Sequence, residues 1–150
     1  MAETTRGRDV VVVLHSYGGA VGSSAVKGLT RRKQDITSST GVSSGHVIGI
    51  IMIASGFIAI GVGFLEAFGG KPPPCWTLDP SGFAVLVGDP RELFYHDLPV
   101  EEGSYWAERL RQQALGPMTE GGKYYYSGWK DVPVWYLVRY SNLPVCHLDH

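Results

Sequence analysis

Four valines and a leucine, Val10 to Leu14, run without interruption into His15-Ser16-Tyr17-Gly18-Gly19 and then into small residues. Consecutive β-branched residues favour an extended strand, and an unbroken apolar run predicts a pleat buried on both faces. The pattern stops at His15. The small residues that follow lead into a helix that Lys27 and Gly28 help to close. A strand that turns at a serine into a helix is the arrangement of a nucleophile elbow, in which the tight turn lifts the hydroxyl off the carboxyl edge of a sheet. Ser16 is therefore the candidate nucleophile. The amide of Tyr17 is the candidate oxyanion-hole donor, and His15, Gly18 and Gly19 are the candidate turn residues. The position two before the serine is Leu14, where the usual elbow has a small residue. On the segment alone, a plain strand–helix turn or a phosphate-binding glycine turn also stays open. The phosphate version lacks the Gly-x-x-x-x-Gly-Lys spacing.

Three later stretches add to this one. They are Gly69-Gly70-Lys71-Pro72-Pro73-Pro74, then Asp89-Pro90-Arg91-Glu92-Leu93-Phe94-Tyr95-His96-Asp97-Leu98-Pro99, then Gly128-Trp129-Lys130-Asp131-Val132-Pro133-Val134-Trp135-Tyr136-Leu137-Val138. With the His-Ser-Tyr-Gly-Gly turn, they resemble the α/β-hydrolase superfamily, and within it the methylesterase/hydroxynitrile-lyase-like branch and its fungal members. The resemblance implies an α/β fold: a three-layer α/β/α sandwich with a parallel sheet and a helical cap insert at about 67–128. It implies one domain over 1–150. It also implies a small ester-like substrate, no cofactor, and catalysis through Ser16. The resembled family needs roughly 250 residues, a length at which one domain is still plausible. Its elbow strand is the fifth, so the resemblance implies a partial, truncated fold without the first four strands or the loop that supplies the second oxyanion-hole amide. The family's acid would fall in Arg139-Tyr140-Ser141-Asn142-Leu143-Pro144, which contains no carboxylate, and its histidine would follow a further strand. For a local substitute the tail offers His147 and His150, and a frayed terminus there stays open beside that reading.

A net charge of −1 with 44% apolar residues is an ordinary globular balance and offers no electrostatic footprint for nucleic acid. Arg31-Arg32-Lys33 reads as a solvated loop cluster, and Thr30 to Gly45 as a loop. Cys75 and Cys146 are too few and too widely spaced for a disulfide framework or a zinc site, so a reducing, cytoplasmic setting is expected. Met1 to Asp9 lacks the apolar core of a signal peptide. Five scattered histidines do not make a metal site.

Val47 to Leu65 carries no charge, and a membrane helix needs ~20 apolar residues. Its β-branched density and glycines favour a buried strand over Val47 to Ala54 instead, with a single membrane span as the competing reading. Asp97-Leu98-Pro99 predicts a helix start, with Trp106, Leu110 and Ala114 as its apolar stripe, Gly116-Pro117 as its end, and Glu101, Glu102 and Glu108 on its wet face. Trp76, Phe83, Phe94 and Tyr95 either line a cap pocket or pack the cap. Val132 to Val138 predicts a further strand, with Pro133 near its start. The Tyr124-Tyr125-Tyr126 run reads as packing rather than as a stacking platform for single strands. Three function classes follow: a serine hydrolase, a non-catalytic remnant or small-molecule-binding module, and a single-pass membrane protein. A strand edge at Val10 to Leu14 without a partner predicts self-association.

Overall fold

The computed structural model describes residues 2–31, 45–67 and 69–138. In chain order the elements are α1 (Ala2–Thr5), β1 (Val10–His15), α2 (Gly18–Ala25), β2 (Val47–Ile53), α3 (Phe64–Ala67), β3 (Trp76–Asp79), β4 (Phe83–Leu86), α4 (Pro90–Phe94), α5 (Val100–Ala107), β5 (Gln113–Ala114), α6 (Gly116–Glu120) and β6 (Val134–Leu137). They divide between two compact units, one of Met1–Val62 with Lys123–Tyr140, the other over Gly63–Gly122.

The first unit is a parallel sheet in the order β1-β2-β6. Val12 pairs with Ile50, Leu14 with Met52 and His15 with Ile53; on the other side Ile50 pairs with Val134 and Ile53 with Leu137. Side chains alternate across a pleat, so Leu14, Ile50 and Met52 share one face. That face is the core. Leu14, Val26, Val47, Ile50 and Met52 form its buried cluster, with Val12, Leu29, Trp129 and Val134 packed against it. Ile50, Met52, Val47 and Val26 are completely buried, and burying side chains of this kind contributes about 1.5–3 kcal/mol each. The chain after α2 is held to this layer by close approach: a Cβ at Gly128 would lie 2.3 Å from Val26 Cγ2 and 2.4 Å from the Ser23 carbonyl oxygen. Ser127 Oγ and Trp129 Nε1 both donate to the Ile58 carbonyl, at 3.0 and 2.8 Å.

The opposite face corrects one expectation. β1 is not covered on both sides, because Val11 and Val13 are exposed at 46% and 60%. An apolar run states that each residue suits a strand; it does not state how many layers cover the strand. Trp135 and Leu137 of β6 are exposed on this face too, and Trp135 lies over Gly49, where a Cβ would meet its ring at 2.7 Å.

The second unit falls in the region expected as a helical cap and contains sheet as well as helix. β3, β4 and β5 form an antiparallel sheet, with Trp76 opposite Leu86 and Phe83 opposite Ala114. Asp79 opens the β3–β4 turn by accepting from the Ser81 amide at 2.7 Å, and Gly82 takes φ +90°. Asp89 caps α4, its carboxylate accepting from the Arg91 amide at 2.9 Å, with Pro90 in the first turn. The helix expected to run from Asp97 to Ala114 is shorter. α5 ends at Ala107, Ala114 belongs to β5, and Gly116-Pro117 opens α6 rather than closing a helix. Proline is well suited to a first helical turn, so the same dipeptide reads either way. Trp106 is exposed rather than part of a buried stripe, whereas Glu101, Glu102 and Glu108 are solvated as expected.

Cys75 is disulfide-bonded, which corrects the reading of the cysteines as unlinked and removes their support for a reducing compartment. Cys146 lies outside the described residues, as do Arg32, Lys33, the stretch 139–144, His147 and His150. No helix among the described residues is long and apolar enough to cross a membrane; Val47–Ile53 is a strand.

Candidate active site

Parallel strands place their carboxyl ends along one edge, and Ser16 stands on that edge, one residue beyond β1. Its backbone takes φ +51°, and it is exposed. A non-glycine residue in the left-handed region is sterically disfavoured by about 1–2 kcal/mol and persists only where its surroundings hold it. Three contacts do so here. The Ser16 amide donates to the Ile53 carbonyl at 3.2 Å, and the Ser16 carbonyl accepts from the Gly19 amide at 3.0 Å and from Ser55 Oγ at 2.7 Å. Strand, reversed serine and helix therefore follow within four residues, as the Val-rich run and the glycines predict.

The small residues of α2 are required by packing. A Cβ on Gly22 would lie 2.0 Å from Leu14 Cδ2, and a Cβ on Gly19 would lie 1.9 Å from Ser55 Oγ. Gly18 is different, with nothing within 4 Å of a Cβ. Glycine at 19 and 22 brings the helix down onto the strand, which aims its amino end at the serine.

Tyr17, immediately after the serine, is the N-cap of α2 and already has helical backbone angles, φ −58° and ψ −22°. Its hydroxyl lies 3.2 Å from that of Tyr125. Tyr125 is nearly buried, and burial, followed by the contact with Tyr17, pushes its phenol well above the usual tyrosine value. The Tyr125 phenol therefore stays neutral at ordinary pH. His15 belongs to β1, paired with Ile53, and is exposed on the face opposite Leu14. His46 lies just before β2, at the amino edge of the sheet, where Asp9 Oδ1 accepts from its amide at 2.9 Å. His96 belongs to the second unit, its Nδ1 3.1 Å from the Glu92 carbonyl oxygen. Asp131 precedes β6, again at the amino edge, and accepts from Tyr126 Oη at 2.7 Å. The structure thus brings together Ser16, Tyr17, Gly18 and Gly19 directly after His15, while His46 and Asp131 lie at the amino edge of the sheet. The stretch 139–144, where the resemblance places the acid, and the tail histidines His147 and His150 lie outside the described residues. Among the described residues no group of three or more His, Cys, Asp or Glu is arranged to hold a metal ion.

Sequence reading missed Ser55 and Ala54. Ala54, directly after β2, also takes a left-handed conformation at φ +42°, and Ser55 is buried behind the elbow. The only local signal was the break from the Ile-rich strand to Ala-Ser-Gly.

A serine raised on a strained turn at the carboxyl edge of a parallel sheet, backed by a helix, is the core of an α/β-hydrolase fold. A model of the alpha/beta hydrolase family matches residues 2–149, and the chain belongs to that family. No curated protein matches it, nor does any solved structure.

Proposed function

We propose that this chain acts as a serine hydrolase on an ester or related acyl compound, with Ser16 as nucleophile, and that its affinities lie with the methylesterase/hydroxynitrile-lyase-like branch and its fungal members. The observation that carries the reading is Ser16 itself, a solvent-exposed serine at φ +51° between a parallel strand and a helix. Strained non-glycine residues cluster at functional sites.

The chemistry follows from that placement. Ser16 Oγ attacks the acyl carbon and gives its proton to a base; the carbonyl oxygen becomes an oxyanion, toward which the Tyr17 amide donates. Collapse expels the alcohol and leaves an acyl-serine, which water then hydrolyses to acid and free Ser16. No cofactor enters these steps.

Fluorophosphonate labelling of the folded chain, read by intact mass beside Ser16→Ala, tests the proposal. One adduct in the parent and none in the variant is the expected result, and the pH dependence of its rate reports the pKa of the base. No adduct on a chain shown to be folded would overturn the hydrolase reading and leave a non-catalytic binding module.

A further inference from the structure

Two adjacent strands of the sheet end in the same unusual way. β1 is followed by Ser16 at φ +51° and β2 by Ala54 at φ +42°, and these are the non-glycine residues with positive φ among those described. The two kinks are joined. Ile53 and Ser55, on either side of Ala54, hold the two ends of Ser16: the Ile53 carbonyl accepts from its amide, and Ser55 Oγ donates to its carbonyl at 2.7 Å. Ser55 is 9% exposed, and is itself held from the far side of β2, where Tyr136 Oη donates to the Ser55 carbonyl and the Ala54 amide donates to the Leu137 carbonyl at 3.3 Å. Gly19 leaves room for this hydroxyl, since any Cβ there would overlap it.

We infer that Ser55 is a positioning residue for Ser16, holding the elbow in its left-handed conformation through the hydrogen bond to the Ser16 carbonyl. An unsupported left-handed serine relaxes toward ordinary backbone angles, and the turn then no longer presents its hydroxyl at the sheet edge. Ser55 satisfies the second lone pair of that carbonyl, the first being taken by the Gly19 amide. Tyr136 and the Ala54 kink keep Ser55 in reach, so β2 and β6 together brace the turn that follows β1. The consequence for catalysis rests on the proposed role of Ser16; the bracing of the backbone does not.

The test compares the full chain with Ser55→Ala by amide hydrogen exchange and by fluorophosphonate labelling. Loss of one hydrogen bond should speed exchange at the Ser16 and Gly19 amides about tenfold while the Ile50 amide, in the centre of the sheet, stays within about twofold. Labelling should slow about tenfold in its maximal rate, with the half-saturating reagent concentration unchanged. Equal exchange at Ser16 in the two proteins, relative to Ile50, would overturn the inference. If the parent takes no label, the nucleophile reading has failed and the exchange ratio alone decides the role of Ser55. Should Ser55→Ala not fold, Tyr136→Phe on the exposed end of β6 serves in its place, with a smaller change in the same direction expected and an unchanged ratio counting against the inference.

Discussion

Gly18 and Gly19 are neighbours at the start of α2, yet alanine at the two positions should move stability in opposite directions. At Gly18 a Cβ meets nothing within 4 Å, and no left-handed angle is required. Gly18→Ala therefore keeps only the gain of replacing glycine in a helix, which reaches about 1 kcal/mol in a helix interior and is smaller at the first turn. At Gly19 the new Cβ would sit 1.9 Å from Ser55 Oγ and 3.3 Å from both Ser55 Cβ and the Gly56 carbonyl oxygen. The hydroxyl must swing away, which gives up a hydrogen bond worth about 0.5–1.5 kcal/mol. Overpacking a closed site costs a further 1–3 kcal/mol or about that. Set against the same helical gain, Gly19→Ala should destabilise the unit by about 1–3 kcal/mol. Urea titration followed through the NMR signals of the Ile50 and Met52 amides, both buried in β2, reads this unit separately from the other. Gly19→Ala as stable as the parent, or a shift of equal sign for both variants, would refute the packing argument.

Four further outcomes are expected. Ser16→Gly should be more stable than Ser16→Ala by about 1 kcal/mol, because glycine accepts φ +51° and alanine keeps the strain; equal urea midpoints would show that the turn stores none. Ile50→Ala, at a completely buried position in the middle strand, should cost about 2–5 kcal/mol by the same titration, and a loss under about 1 kcal/mol would mean the core is not where β2 places it. The phenol of Tyr125 is raised above its usual value of 10.0 by burial and by Tyr17, so its contribution is fully present below pH 10 and is lost as pH rises beyond that; Tyr125→Phe should flatten the alkaline fall in stability measured by urea titration. Val13 is 60% exposed on an edge strand, so Val13→Lys should reduce self-association in sedimentation velocity, whereas a parent chain that is already monomeric would rule out this edge as the contact.

The elbow was legible in the chain because it is local. Val10 to Leu14 can hardly be anything but extended, and a serine followed by two glycines leaves few ways to enter a helix. The strands over Val47–Ile53 and Val134–Leu137 were equally plain, and β-branched density separated the first from a membrane helix. Signals that depend on neighbours were misread. Gly116-Pro117 opens a helix instead of ending one, and the Trp106–Ala114 spacing suggested a stripe on a helix that stops at Ala107. Cys75 forms a disulfide that spacing alone gave no reason to expect.

Short-range sterics acting on the bare sequence were enough to determine the strand segments, the turn at Ser16 and the small residues behind it. Which faces are covered, and what holds the serine, came only with the tertiary structure. Val11 and Val13 are as apolar as Val10 and Val12, and only the placement of α2 and Trp129 on one side distinguishes them. Ser55 lies far from Ser16 along the chain, and the two meet because β2 pairs with β1 in a register that ends both strands together. A hydrogen bond between strand ends depends on register and on paired kinks, and those are properties of the assembled sheet rather than of either segment.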